Sequence, residues 1–312
     1  MTIMGKISRT LFGIPSERAV FSRPGFAPEA WTRFQPVAHS LVEGYHATLE
    51  DSRFEKLVPR LTAFAPELHG FAYEGAGMGI AALDIIAPWK DRLTAFIDGP
   101  AGPHIYPTYV GVGLALARLH KDPEKYLTRL DPLLGWVVAD GYGFHEGFFR
   151  RRKYVDQRAV PTHLSPYARR LFDQGLGRCI WFSSGGLVDL VTSIVTAYPR
   201  ERHADIWSGV GTACAYAGGA TREEVENLLE IAHPYRSLLA SGAAVASQGR
   251  LRAGNMAEHT EMACQIFGRL TARQAADVAN SAQENLPFNM HKPAYEIWHE
   301  RMQEHFSALS LR

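Results

Sequence analysis

Apolar residues recur along most of this chain at the three-to-four-residue spacing of amphipathic helices. Val37, Leu41, Tyr45 and Leu49 stand at every fourth position and predict a helix over residues 34–49. A second helix is expected over 53–64, broken near Pro59 and stopped by Pro66. Ahead of these, residues 1–34 are rich in Arg, Pro and Phe, and Pro15, Pro24 and Pro28 predict an irregular arm. Near the other end, Thr271 is placed to cap a short helix over 272–283, and an amphipathic helix carrying His299 and His305 is expected over 294–309. Alternating β-branched runs are missing, and no Asn-Gly or Asp-Gly pair joins two such runs. The pattern predicts an all-α fold.

Between these ends the chain resembles itself. Segments 71–86, 109–117, 122–138, 140–152 and 167–172 find counterparts, in the same order, at 180–196, 208–215, 221–239, 241–250 and 262–267. The expectation is an internally duplicated helical unit with pseudo-two-fold symmetry. Its parts are an N-terminal arm with two helices (1–69), a first repeat (70–178), a second repeat (179–270) and C-terminal helices (271–312). Gly and Ala are frequent inside these segments. A glycine costs about 1 kcal/mol per helical position relative to alanine, so the pattern implies either close helix packing or room for a channel.

Composition narrows the function classes. Hydrophobic residues make up 46% of the chain and charged residues 21%, enough apolar material for a sizeable core. Lys+Arg number 33 against Asp+Glu 32, which argues against a nucleic-acid partner. Cys179, Cys214 and Cys264 are far apart and form no Cys-x-x-Cys pair, so neither a disulfide framework nor a structural zinc site is expected, and a reducing cytoplasm is the simple location. Lys6 and Arg9 interrupt the apolar N-terminus, which excludes a signal peptide; an arm packed on the body, or a short segment at the inner-membrane surface, is expected there. The apolar stretch 180–198 contains Ser183, Ser184, Asp189 and two glycines, and fits a buried helix better than a membrane span.

Candidate chemistry concentrates in the first repeat. His145 and Glu146 can serve as an acid/base pair near neutral pH. Adjacent helical residues do not face each other, so their partners are expected from another element, with Glu74 and Asp84 the natural suppliers. The second repeat has Ser247-Gln248 in place of the pair, and Ser183 and Ser193 opposite Glu74 and Asp84. Tyr106, Tyr109, Tyr142, Phe144, Phe148 and Trp181 are candidates to line an apolar tunnel, core packing being the alternative. Glu258 and His259 could line the same pocket or simply begin a helix. Arg150, Arg151, Arg152 and Lys153 could hold an anionic headgroup or a phosphopantetheine, or form a solvated helix C-terminus.

Three Glu-x-x-His pairs, Glu43/His46, Glu230/His233 and Glu296/His299, leave a non-haem metal site as a minor alternative. There is no His-Glu-x-x-His, no dinucleotide fingerprint around Gly111 and Gly113, no Walker sequence and no Gly-x-Ser-x-Gly, so no cofactor is expected.

Several motifs together resemble a bacterial family, domain of unknown function 1702. They are Tyr73 to Gly79, Gly111-Val112-Gly113-Leu114-Ala115, Asp131-Pro132-Leu133-Leu134 and Asp140 to Gly147, with Gly13 to Glu17 and Phe21 to Phe26 near the start. The family is encoded beside enediyne polyketide synthases and in other natural-product clusters. The resemblance implies a role in maturing a polyene or similar chain, alongside pathway partner proteins. The expected function is a cofactor-independent cyclase or isomerase acting on a long hydrophobic polyene or isoprenoid. The competing expectation is a non-catalytic protein that binds or chaperones a polyene. A homodimer is the default assembly.

Overall fold

The computed structural model describes residues 3–15, 21, 23–288 and 291–310, and every regular element among them is helical. Helix α1 (Ile3–Phe12) occupies part of the expected irregular arm. Helix α2 (Pro28–Glu50) starts earlier than its apolar pattern because Pro28 sits at the first helical turn, where a missing N–H is harmless. Pro59 lies inside α3 (Phe54–Leu61) without breaking it. In a helix this short, few backbone N–H groups have an intrahelical acceptor to lose.

The core is a series of helices packed each against the next: α2, α4 (His69–Ile86), α6 (Ile105–Arg118), α7 (Val137–Phe149), α8 (Pro166–Ser183), α10 (Arg200–Ala217) and α12 (Arg236–Ala253). Shorter elements lie between or beside them: α5 (Arg92–Asp98), α9 (Val188–Thr196), α11 (Arg222–Ile231), α13 (Glu258–Gly268) and α14 (Ala272–Ala282). Like ends meet in this series. His120, just past α6, contacts Arg150 at the end of α7; Arg151 bonds Ser183 at the end of α8; the Trp181 indole donates to the Gly218 carbonyl past α10. Neighbouring core helices therefore run the same way, and each connection returns along the outside.

Glycine pairs set the spacing. Gly75/Gly77, Gly111/Gly113, Gly141/Gly143, Gly175/Gly177 and Gly209/Gly211 place one G-x-G on each of α4, α6, α7, α8 and α10. Two residues along a helix turn through about 200°, so the two glycines face opposite neighbours. On α7, a Cβ at Gly141 would strike the Val110 carbonyl of α6, and one at Gly143 would strike the Phe172 carbonyl of α8. The pattern is reciprocal: Gly175 of α8 lies against the Asp140 carbonyl of α7, and Gly177 against the Ile206 carbonyl of α10. Backbones thus touch backbones, as small residues permit.

The same geometry defines an inner face. The residue before the first glycine and the residue after the second are four apart and point between the two neighbours. These positions are Glu74 and Met78 on α4, Val110 and Leu114 on α6, Asp140 and Phe144 on α7, and Gln174 and Arg178 on α8. They line the two interior chambers described below. The series closes on itself. Gln248 of α12 lies 3.5 Å from the Tyr106 hydroxyl of α6, and Asn255, just past α12, donates to the Pro66 carbonyl ahead of α4. Helix α15 (Ala294–Ser310) plugs one end, with Trp298 tilted against Tyr106 and Glu296 2.5 Å from Arg170.

This arrangement departs from the expected two-copy alignment. Segment 180–196 is not the equivalent of 71–86: α8 ends at Ser183, Gly185 and Gly186 turn with φ of 65° and 69°, and α9 begins at Val188. Segment 122–138 is not a continuous helix but two 3-10 turns, Pro123–Arg129 and Leu134–Trp136, leading into α7. The glycine pairs recur on the five consecutive core helices from α4 to α10, and neither α2 nor α12 carries one. Among the described residues no helix is long and apolar enough to cross a membrane.

The glycine contacts predict a sharp contrast between two substitutions. Gly143→Ala must displace the α8 backbone and is expected to destabilise the fold by about 3 kcal/mol, the upper end of overpacking costs. Gly249→Ala meets only Tyr106 at 3.9 Å and is expected to be neutral or to stabilise by up to about 1 kcal/mol through helix propensity. Urea unfolding of the two variants beside wild type measures both.

Candidate active site

Two chambers lie within the helical array, and Glu74 and Arg178 line both. The first, about 70 Å³, is apolar; Phe71, Met78, Leu114, Phe144, Phe148 and Phe182 make most of its wall, with α2 and Ile14 and Phe21 of the N-terminal arm covering it. His145 is its other polar residue. The second, about 60 Å³, is more polar than the first and lies towards α15; Tyr106, Gln174, Tyr216, Tyr295 and His299 face it together with Asp140.

The partition between them is a buried ionic cluster. Arg178 forms an ion pair with Asp140 and lies 3.9 Å from Glu74, and its guanidinium stacks over the Phe144 ring. One cation thus serves two carboxyls in a buried site. Asp140 makes the direct hydrogen bond and so takes most of the benefit of Arg178, although burial still raises its proton affinity. Burial raises Glu74 further, to about 7, against the pull of Arg178 and with the help of the Asp140 charge. Burial alone would lower the Arg178 pKa, but Asp140 and Glu74 more than reverse that and keep it charged. The result is a carboxyl that keeps its proton well above the ordinary carboxylate range and is about half protonated at neutral pH, next to an apolar chamber.

His145 and Glu146 occupy the last turns of α7, both buried. Contrary to the expectation for adjacent helical residues, His145 Nδ1 lies 3.4 Å from Glu146 Oε1. The His145 ring also packs on Phe149 at 4.6 Å. Burial lowers the His145 pKa, and the Glu146 contact opposes it. Glu146 is held in turn by Arg150 at 3.2 Å. His145 and Glu74 therefore share the apolar chamber, while Glu146 stands behind the imidazole.

Other expected site residues fall elsewhere. Asp84 faces α5, accepting from Arg92 and from the Leu93 backbone N–H at 2.8 Å each, and does not approach Glu74 or His145. Phe144 and Phe148 do line the apolar chamber, and Tyr106 the more polar one. The Tyr109 hydroxyl accepts from the Asp131 N–H, Tyr142 turns outward to His163, and Trp181 is fully buried with its indole on the Gly218 carbonyl. All three hold elements together. Glu258 is exposed at the start of α13, and His259 contacts the Tyr216 carbonyl and Arg250. The three Glu-x-x-His pairs stay apart on α2, α11 with its following turn, and α15. Among the described residues no group of three or more His, Cys, Asp and Glu is placed to hold a metal.

Arg178, Asp140 and Gln174 have no assigned role at the level of motifs. All three sit at inner positions flanking G-x-G pairs, which recur at intervals of 30 to 36 residues. That recurrence is the signal that would have found them. His299 belonged to a Glu-x-x-His pair, but its setting differs from a metal ligand's. Both ring nitrogens are buried without a hydrogen-bond partner in the protein, and burial, with Arg170 adding, lowers its pKa to about 3. It is a neutral imidazole facing the more polar chamber.

The chain belongs to a family described as Protein of unknown function (DUF1702), whose model matches residues 3–306. No curated protein and no solved structure matches the chain.

The Glu74 proton has a thermodynamic signature. Its folded-state pKa of about 7 lies above the ordinary carboxyl value of 4.5. Its contribution to stability is therefore complete below the unfolded pKa and is lost as pH rises through 7. Glu74→Gln removes this term. The stability difference between variant and wild type should move in the variant's favour by roughly 2–3 kcal/mol between pH 5 and pH 8. Urea unfolding at both pH values checks this, and a difference independent of pH would mean that Glu74 is ionised throughout.

Proposed function

We propose that this protein isomerises or cyclises a long apolar unsaturated chain, a polyene or an isoprenoid, by proton transfer in the apolar chamber. The observation that carries this reading is the buried Glu74 carboxyl, protonated to about pH 7 and facing a chamber walled by phenylalanines. An acid of this kind is a stronger proton donor towards an alkene than water is, and aromatic faces stabilise a nearby cation.

The steps balance without a cofactor. Glu74 gives its proton to one carbon of a C=C bond, forming a C–H bond and leaving positive charge on the other carbon. Arg178 and Asp140 lie behind the carboxylate so formed; Arg178 stabilises it, while Asp140 keeps it basic. The cation rearranges or is attacked by a second C=C bond of the same chain. A neighbouring C–H bond then breaks and its proton passes to His145, which burial keeps neutral beforehand. With Nδ1 turned to Glu146, Nε2 is the accepting nitrogen, and the Glu146 carboxylate balances the imidazolium charge. Return of the proton to Glu74 restores the starting state, and the product is an isomer of the substrate.

At about 70 Å³ the chamber is smaller than the 300 Å³ and upward typical of ligand pockets. Substrate entry therefore requires the covering arm or α2 to give way. The setting implied by the family resemblance, an enediyne-type or related natural-product pathway with partner proteins, would supply chains of this kind. A protein that only shelters a polyene would use the same apolar walls, but it would have no use for a protonated carboxyl held beside an arginine.

Substitution separates the two readings. Glu74→Gln keeps the shape and removes the proton donor; turnover is expected to fall by at least about 100-fold with ligand affinity nearly unchanged. His145→Ala together with Glu146→Gln should lower turnover comparably. Native mass spectrometry for a retained apolar mass, followed by assay of its conversion, provides the readout. Full conversion by Glu74→Gln would overturn the catalytic reading in favour of the sheltering one.

A further inference from the structure

Outside the apolar chamber, a groove of about 790 Å³ opens to solvent along the end of α7. Arg23, Arg150, Arg151, Arg152 and Lys153 line it together with Phe148 and Phe149. The two phenylalanines also line the apolar chamber, so they form a common wall. Arg23 stacks on both rings, 5.1 Å and 4.8 Å from their centres, and Arg151 lies over Phe26. Carboxylates answer part of this charge: Glu146 lies 3.2 Å from Arg150, and Asp156 3.5 Å from Arg151. Arg152 and Lys153 are exposed, and among the described residues no carboxylate pairs with either. The groove therefore keeps a surplus of positive charge at the outer wall of a chamber that is almost wholly apolar.

We infer that this groove receives the phosphate or diphosphate end of the substrate, with the apolar chain passing the Phe148–Phe149 wall into the chamber. This rests on the reading of the chamber as the site of an apolar chain. Arginines bind phosphate oxygens in charge-assisted pairs, and a lysine adds a point charge. The linear order of the parts follows: basic groove, aromatic wall, apolar chamber, then Glu74 and Arg178. A chain anchored by its charged end would present its far end to Glu74. Protonation then occurs at the tail, and the phosphate group stays on the product.

Equilibrium binding tests the groove apart from catalysis. The probes are farnesyl diphosphate, farnesyl monophosphate and farnesol, followed by intrinsic fluorescence quenching of the full chain. The diphosphate is expected to bind at least about tenfold tighter than farnesol, and the gap to shrink as salt rises from 50 to 500 mM. Arg152→Ala with Lys153→Ala should close most of that gap while leaving farnesol affinity and melting temperature unchanged. Equal affinity of the wild type for diphosphate and alcohol overturns the inference, as does an undiminished gap in the double variant. The wild-type comparison needs no variant to fold. A second arm competes farnesyl diphosphate with palmitoyl phosphopantetheine; the tighter binder identifies whether the phosphate belongs to a free chain or to a carrier arm. The outcome is separable from that for Glu74. Phosphate-dependent binding with full turnover by Glu74→Gln sinks the proton-donor reading alone, and acid-dependent turnover with no preference for phosphate sinks the groove alone.

Discussion

Contact between the backbones of neighbouring helices is the constraint on which this structure depends. Each G-x-G removes two side chains on opposite sides of a helix, and the adjoining carbonyls fill the space. The helical propensity lost at each glycine is about 1 kcal/mol, and it is offset by packing that no larger residue could reach. Once two sides of a helix are committed to its neighbours, the remaining directions are also assigned. Residues flanking the pair point inward, and the residue between the glycines points outward, as Tyr142 does towards His163. The interior is therefore a consequence of the packing, and its chemistry depends on which residues occupy the flanking positions.

Four of those eight positions, Met78, Val110, Leu114 and Phe144, are apolar, and the other four are charged or polar. Glu74, Asp140 and Arg178 come from three helices, α4, α7 and α8, and form the partition between the chambers, with Gln174 beside them in the second. A buried ion pair adds little to stability, because desolvation of the ions cancels much of their attraction. Two carboxyls around one guanidinium do worse still, since burial and mutual repulsion raise the proton affinity of Glu74. Aliphatic residues at these places would fill the space at lower cost. Under the proposed function, the cluster raises the proton affinity of an acid beside apolar walls.

The parts along the interior differ in polarity in an ordered way. A cationic groove leads to an aromatic wall, then an apolar chamber, then the ionic partition, then a more polar chamber containing a neutral, unpartnered His299. Such a sequence suits an amphiphilic chain lying lengthwise. It also places α15, which carries Tyr295 and His299, as the element that finishes the far end, while α2 and the N-terminal arm finish the near one.

Local pattern determined the all-α class, the capping of α14 by Thr271, and the placement of α2 and α15. These depend on residues within one or two turns of each other, and the chain carries that information directly. Glu74, His145, Phe144 and Phe148 were recognisable as a set because they fall in glycine-rich, aromatic stretches of unusual composition. Tertiary structure decided what they do together. Asp84 and Glu74 lie three turns apart on one helix, yet one braces α5 and the other faces the chambers, because helical phase sends them to different sides. The adjacent pair His145 and Glu146 came into contact through rotamers that burial and Arg150 select. Arg178, a hundred residues from Glu74, joined it only when the glycine contacts brought α8 round to α4. No local spacing encodes that meeting, since it is produced by the closure of the whole helical series.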